Sequence, residues 1–342
     1  MTLEQLVRPN IWSLAPYSCA RNEFKGEAKA FLDANENPYG TLNRYPDPLQ
    51  LEAKGLIAHL RGVKPENIMF GNGSDEPIDL VYRIFCRPGV DNVVAIEPTY
   101  GMYKVQADIN DVEYRPVLLT ADFQIDVDKL LAATDANTKV IWLCSPNNPT
   151  GNLLKTSDIE RVLKEFVGIV IIDEAYIDFA TTATSWTKRL NEFGRLIVLQ
   201  TFSKAWGLAG CRCGMAYAST EIIGIFNKVK YPYNINKLTQ EKVIEALRNA
   251  EHTAECVSTL VLEREKLTAK LQGVGCVRKI YPSDANFLLV EVTDANGIYK
   301  KLAATGVVTR NRNNVKLCQG CLRITVGTPE ENALLLEEMK KF

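Results

Sequence analysis

Histidine is nearly absent from this sequence: His59 and His252 are the only two in 342 residues. Both fall in segments of helical pattern, so histidine-based metal coordination and serine–histidine triads are not expected, and no metal site is predicted. No apolar run approaches the ~20 residues that span a bilayer. The opening Met1-Thr2-Leu3-Glu4-Gln5-Leu6 has neither a basic nor an apolar signal segment, which predicts a cytoplasmic chain. Neither sign of charge is in excess, with 40 Lys and Arg against 41 Asp and Glu. A general electrostatic attraction to nucleic acid or anionic membrane is thereby excluded. Repeats and low-complexity tracts are missing too, and a 46% hydrophobic content rules out dominant disorder.

Nine cysteines are present. An odd count with no signal segment reads as reduced thiols. Cys211 and Cys213 stand one residue apart, closer than structural zinc sites use, and Cys318 and Cys321 lie in apolar surroundings. Buried thiols acting as small hydrophobes are expected at both pairs.

The length exceeds the roughly 250–300 residues at which one core stops growing, so a second domain is expected. From about residue 49 to 218, helical periodicity alternates with short β-branched runs. Strands are predicted at Asn67–Phe70, Asn92–Ile96, Val112–Leu118, Lys139–Cys144, Gly168–Ile172, Leu196–Gln200 and Gly214–Ala218. Runs such as Ile169-Val170-Ile171-Ile172 are apolar throughout, as strands covered on both faces are. The prediction is an α/β fold with a mostly parallel seven-stranded sheet in a large domain, and a smaller α+β domain. The large domain is assigned residues 39–235 and the small one 236–342. Residues 1–38 form an N-terminal arm that contributes to the small domain. Within the latter, one long helix is expected over Thr239–Leu271, strands at Ala285–Val292, Val307–Thr309 and Leu322–Val326, and a capped helix opening at Thr328-Pro329-Glu330-Glu331.

Four segments lie just past predicted strands, at the edge where open α/β sheets bind ligands. Gly71-Asn72-Gly73-Ser74-Asp75-Glu76-Pro77 leads into a helix whose first N–H groups suit an anion. Ser145-Pro146-Asn147-Asn148 reads by itself as a turn, and Asp173-Glu174-Ala175-Tyr176 as a solvated cap. Thr201-Phe202-Ser203-Lys204 places a lysine among small and apolar residues, with Arg212 further on. The intervals from Asn148 to Asp173 and from Asp173 to Lys204 each fit one helix-and-strand unit, so the three side chains are expected at one edge. A lysine for an imine, a carboxylate for a pyridinium nitrogen and donors for a phosphate meet the needs of pyridoxal 5′-phosphate.

On these residues the chain resembles the fold-type I aminotransferases, class II subgroup. Further segments narrow the likeness: Leu14-Ala15-Pro16-Tyr17, Leu32-Asp33-Ala34-Asn35-Glu36-Asn37-Pro38-Tyr39-Gly40, Asn43-Arg44-Tyr45-Pro46-Asp47, Pro98-Thr99-Tyr100-Gly101-Met102-Tyr103, Tyr231-Pro232-Tyr233 and Gly320-Cys321-Leu322-Arg323. They are similar to the histidinol-phosphate aminotransferase family over nearly the whole chain.

The resemblance implies catalytic roles for Lys204, Asp173, Tyr176 and Asn148. Lys204 would carry the cofactor, Asp173 its ring nitrogen, and Asn148 and Tyr176 its phenolic oxygen. Ser74, Asp75, Thr201, Ser203 and Arg212 would hold its phosphate, and Tyr100 would stack on its ring. Tyr45 would reach a partner's cofactor across a homodimer with composite sites. Tyr17, Asn37, Tyr233, Arg310 and Arg323 would bind substrate. Arginine suits the family's paired substrates, because its fork grips carboxylate and phosphate alike. The implied activity is transamination between histidinol phosphate and 2-oxoglutarate in histidine biosynthesis. A threonine-phosphate decarboxylase, an aromatic aminotransferase and a non-catalytic ligand-binding module are the alternatives. Cys211 departs from the family, which often has an aliphatic residue there.

Overall fold

In a computed structural model the described residues are 1–17, 23, 24, 26 and 28–342. Part of the predicted arm 1–38 therefore lies outside them.

Seven strands form the larger sheet: β1 (Ile68–Asn72), β2 (Asn92–Glu97), β3 (Glu113–Leu118), β4 (Thr138–Cys144), β5 (Ile169–Asp173), β6 (Leu196–Thr201) and β7 (Cys213–Tyr217). Their order is β1-β7-β6-β5-β4-β2-β3. Only β7 runs against its neighbours, pairing antiparallel with β1 and β6, while the other pairings are parallel. The expected mostly parallel seven-stranded sheet is thus present. Because β7 reverses direction twice over, β1 points the same way as β6, and β1, β2, β4, β5 and β6 all end at one edge.

Strand alternation feeds two cores. In β5, Val170 and Ile172 join a cluster with Phe202 and Ile141 on one face, whereas Ile169 and Ile171 join Trp142 and Tyr82 on the other. Helices cover both faces, among them Asp75–Phe85, Met102–Ile109 and Thr156–Glu165. That double cover is why the central strand β5 reads Ile-Val-Ile-Ile, apolar at successive positions.

A second, antiparallel sheet is made of β8 (Val277–Ile280), β9 (Phe287–Val292), β10 (Arg310–Asn311) and β11 (Cys321–Thr325), in the order β10-β11-β9-β8. Leu267, Ile298, Leu302 and Leu335 from three helices pack with Leu288, Val290 and Leu322 of this sheet.

Three expectations for this region need correction. The long helix breaks at Asn249 into Lys237–Arg248 and Ala250–Leu271. Val243 and Leu247 of the first piece join the larger sheet's core, so the two pieces serve different packing partners. Val307–Thr309 is not a strand; pairing begins at Arg310. β8 escaped the pattern because it neither alternates nor is fully buried, the partly covered Val277 and Ile280 flanking exposed Arg278 and Lys279.

Candidate active site

The shared strand edge opens into a cavity of about 740 Å³. Twelve of the sixteen predicted residues line it: Ser74, Asp75, Tyr100, Asn148, Asp173, Tyr176, Thr201, Ser203, Lys204, Arg212, Arg310 and Arg323. β1, β2, β4, β5 and β6 each deliver at least one, and the small sheet supplies the two distal arginines from β10 and β11.

Asp173, the last residue of β5, is 2% exposed. Burial pushes its pKa up, but the Tyr103 hydroxyl donates to it at 2.6 Å and the Ala175 N–H at 3.0 Å, and both favour the carboxylate. Tyr103 is itself buried and stacked on Trp142, with ring centroids 4.6 Å apart. Burial is the larger effect, so the carboxyl's pKa stands above its ordinary value, and the Tyr103 hydrogen bond opposes that rise.

Lys204 stands in the loop after β6, open to solvent through the cavity, with its ammonium 5.6 Å from the Tyr176 ring centroid. Surrounding protein lowers its pKa, the positive Arg323 lowers it further, and Asp173 opposes the fall. A lysine tuned this way yields its proton more readily than a surface one.

The Arg323 guanidinium donates to Asn148 Oδ1 in a short hydrogen bond. That bond occupies the amide's acceptor and leaves Nδ2 to donate into the cavity. Tyr176 packs edge-on against Phe287, with centroids 5.1 Å apart, and is 7% exposed.

The anion cradle forms where β1 meets β7. Gly73 has φ +65°, and a Cβ there would fall 2.5 Å from the Arg212 guanidinium. A Cβ on Gly214 would meet the Gly73 backbone at 2.5 Å. Both glycines are thus required for the close approach. Ser74 precedes the helix Asp75–Phe85, yet its hydroxyl makes no cap hydrogen bond. The hydroxyl and the first-turn N–H groups remain available to a ligand, and the helix dipole favours an anion there. Arg212 pairs with Asp75 at 3.3 Å, and Asp75 also accepts from the Tyr100 hydroxyl at 3.2 Å.

A phosphate fits this cradle on its donor set: a half-exposed arginine, an unspent hydroxyl and a helix N-terminus. Tyr100 and the buried Asp173 line the same cavity, an aromatic face and an acid of the kind a protonated ring needs. The donors and acceptors present therefore match pyridoxal 5′-phosphate.

Tyr17, Asn37, Tyr45 and Tyr233 do not line this cavity. Tyr45 and Tyr233 stack on each other, with centroids 4.4 Å apart, at a separate cleft of about 500 Å³. Tyr17 is 76% exposed, and Asn37 accepts a hydrogen bond from the Tyr39 N–H at 3.0 Å. Two residues that shape the site, Tyr103 buried behind it and Arg312 lining it, have no role in the sequence reading. Tyr103 was quoted in its motif, but nothing local reveals a hydrogen bond spanning two strands. Arg312 has no motif of its own, although its spacing from Arg310 is the two-residue period of a strand face.

The family model described as "Aminotransferase class I and II" matches residues 19–339. The chain is 55% identical over 343 residues to the histidinol-phosphate aminotransferase of Bacteroides thetaiotaomicron, covering 100% of this chain and 99% of that protein. Among solved structures, the histidinol-phosphate aminotransferase from Clostridium acetobutylicum superposes with a TM-score of 0.80 at 24% identity, covering 88% of this chain and 90% of that one. The histidinol-phosphate aminotransferase from Sinorhizobium meliloti, crystallised with pyridoxal-5′-phosphate, gives 0.80 at 22% identity, covering 87% and 82%. At such identities the two structures speak to the fold.

Proposed function

The chain belongs to the histidinol-phosphate aminotransferases of the class I and II aminotransferase family, and on that premise we propose how its residues divide the work. The activity is amino transfer between histidinol phosphate and 2-oxoglutarate, a step of histidine biosynthesis, with pyridoxal 5′-phosphate as cofactor. The observation that carries the assignment of roles is that Lys204 and a buried Asp173, braced by Tyr103, line one cavity.

When bound, the cofactor supplies a carbonyl that exchanges amino groups and a ring that accepts the electrons of a breaking C–H bond. Asp173, whose carboxylate form two hydrogen bonds favour, would face the protonated ring nitrogen. Asn148 Nδ2 and the Tyr176 hydroxyl would donate to the phenolic oxygen. Ser74, Thr201, Ser203, Arg212 and the first N–H groups of the helix Asp75–Phe85 would hold the phosphate, and Tyr100 would cover the ring. Lys204, with its lowered pKa, is the base that would take up and give back the proton at the substrate's reacting carbon. Arg323 and Arg310 grip the anionic end of either substrate.

We also read the chain as a cytoplasmic homodimer with composite sites. Support comes from Leu32, Tyr39, Leu42, Tyr45 and Tyr231, which are large, apolar and 51–93% exposed in the single chain. Patches of this kind are normally covered by a partner. Among the described residues no helix is long and apolar enough to cross a membrane.

The purified protein is expected to carry a visible cofactor absorption and to convert histidinol phosphate only when 2-oxoglutarate is present. Lys204→Ala should remove both the lysine-linked absorption and turnover. Turnover of threonine phosphate with release of carbon dioxide, in place of amino transfer, would replace this reading with the decarboxylase one.

A further inference from the structure

Three arginines crowd one wall of the cavity: Arg310, Arg312 and Arg323. Arg310 on β10 and Arg323 on β11 are direct cross-strand partners. Arg312 lies two positions beyond Arg310, and its N–H bonds to the Cys321 carbonyl at 2.9 Å, extending the ladder. The intervening Asn311 turns the other way, donating to Asn296 at 2.8 Å. Strand alternation therefore sets all three guanidinium groups on one face.

Like charges directly opposite across a sheet are destabilising. Among the described residues none of the three forms a salt bridge, and the cavity's two acids, Asp75 and Asp173, are engaged by Arg212 and Tyr103. Arg323 spends one N–H on Asn148. Arg312 is half-buried, and its Nε is sealed from solvent with no hydrogen-bond partner, a costly state for a charged donor. So much unpaired positive charge calls for a ligand of more than one negative charge. A carboxylate presents two oxygens and one charge, which a single arginine fork satisfies. A phosphomonoester presents three terminal oxygens and a charge of about −1.5 to −2.

Resting on the reading above, we propose that Arg312 is a third anion ligand that selects the phosphorylated substrate over the dicarboxylate one. Arg310 and Arg323 serve both substrates, while Arg312 engages the additional oxygen that only phosphate offers.

The test uses cofactor-loaded wild type, R312Q and R312K, each mixed with histidinol phosphate or glutamate in single-turnover experiments, with inorganic phosphate as a competing probe. R312Q is expected to weaken histidinol phosphate binding by about tenfold to a hundredfold, the worth of a charge-assisted hydrogen bond, and to relieve phosphate inhibition in parallel. Its glutamate half-reaction should stay within about twofold, because the paired fork that grips carboxylate is intact. R312K, which keeps the charge and loses the fork, should fall between the two. Should R312Q fail to fold, R312K alone decides the matter: equal losses with both donors, or undiminished inhibition by phosphate, would overturn the proposal. A wild type inert toward histidinol phosphate would sink the parent reading instead, and phosphate inhibition of whichever amino donor it does use would still measure what Arg312 contributes.

Discussion

At Asp173 opposing residue-scale effects meet, and burial is the larger. Burial favours its neutral form, and two hydrogen bonds favour the charged one. Tyr103→Phe deletes the shorter of these bonds and preserves the ring stack on Trp142. The carboxyl pKa should then rise, shrinking the ionised fraction on the acid side. The acidic limb of the kcat/KM profile is expected to move up by about one pH unit, since one unit corresponds to ~1.4 kcal/mol and such a bond is worth that much or more. An unmoved limb with lowered activity would mean that Tyr103 acts through packing alone. Lys204 and Asp173 were legible as cavity residues because each stands at or just past the end of a strand whose apolar run is unmistakable. Tyr103 and Arg312 were not, because their roles depend on neighbours brought together only by folding.

Elements follow the same division. The seven large-sheet strands fall within a residue or two of their predicted bounds, since all but the edge strand β3 are largely buried runs. The break at Asn249 has no Gly or Pro to announce it. Its cause is tertiary: Val243 and Leu247 belong to one core, Leu267 and Leu271 to another. By contrast, the last helix is written locally. Thr328 accepts from the Glu331 N–H at 3.3 Å, the Glu331 side chain accepts from the Thr328 N–H at 2.8 Å, and Pro329 opens the first turn. Thr328→Ala is expected to cost about 1 kcal/mol in denaturant unfolding and to leave kcat unchanged, because the box is remote from the cavity. A larger loss would show that Thr328 also supports the sheet beneath it.

On the scale of the whole molecule, the sites expected to bind substrate divide into those gathered in one chain and those that are not. Tyr45 and Tyr233 form a stacked pair outside the cavity. Lys230 ties their two loops together, its ammonium donating to the Pro48, Tyr231 and Pro232 carbonyls at 3.1–3.3 Å. If the composite dimer is correct, Tyr45→Phe should loosen cofactor retention without changing the sedimentation coefficient. Dilution of wild type should release cofactor in step with dissociation. Cofactor held equally well by dilute monomer would rule out a shared site.

The reversed β7 strand carries one more consequence, in time. Gly73 closes against Cys213, so the phosphate cradle has margins made far apart during translation. A nascent chain bearing only the first margin has a helix start but no arginine beside it. Arg310, Arg312 and Arg323 leave the ribosome later still. The cradle thus cannot close before Arg212 and β7 are made, and the arginine wall is assembled after it.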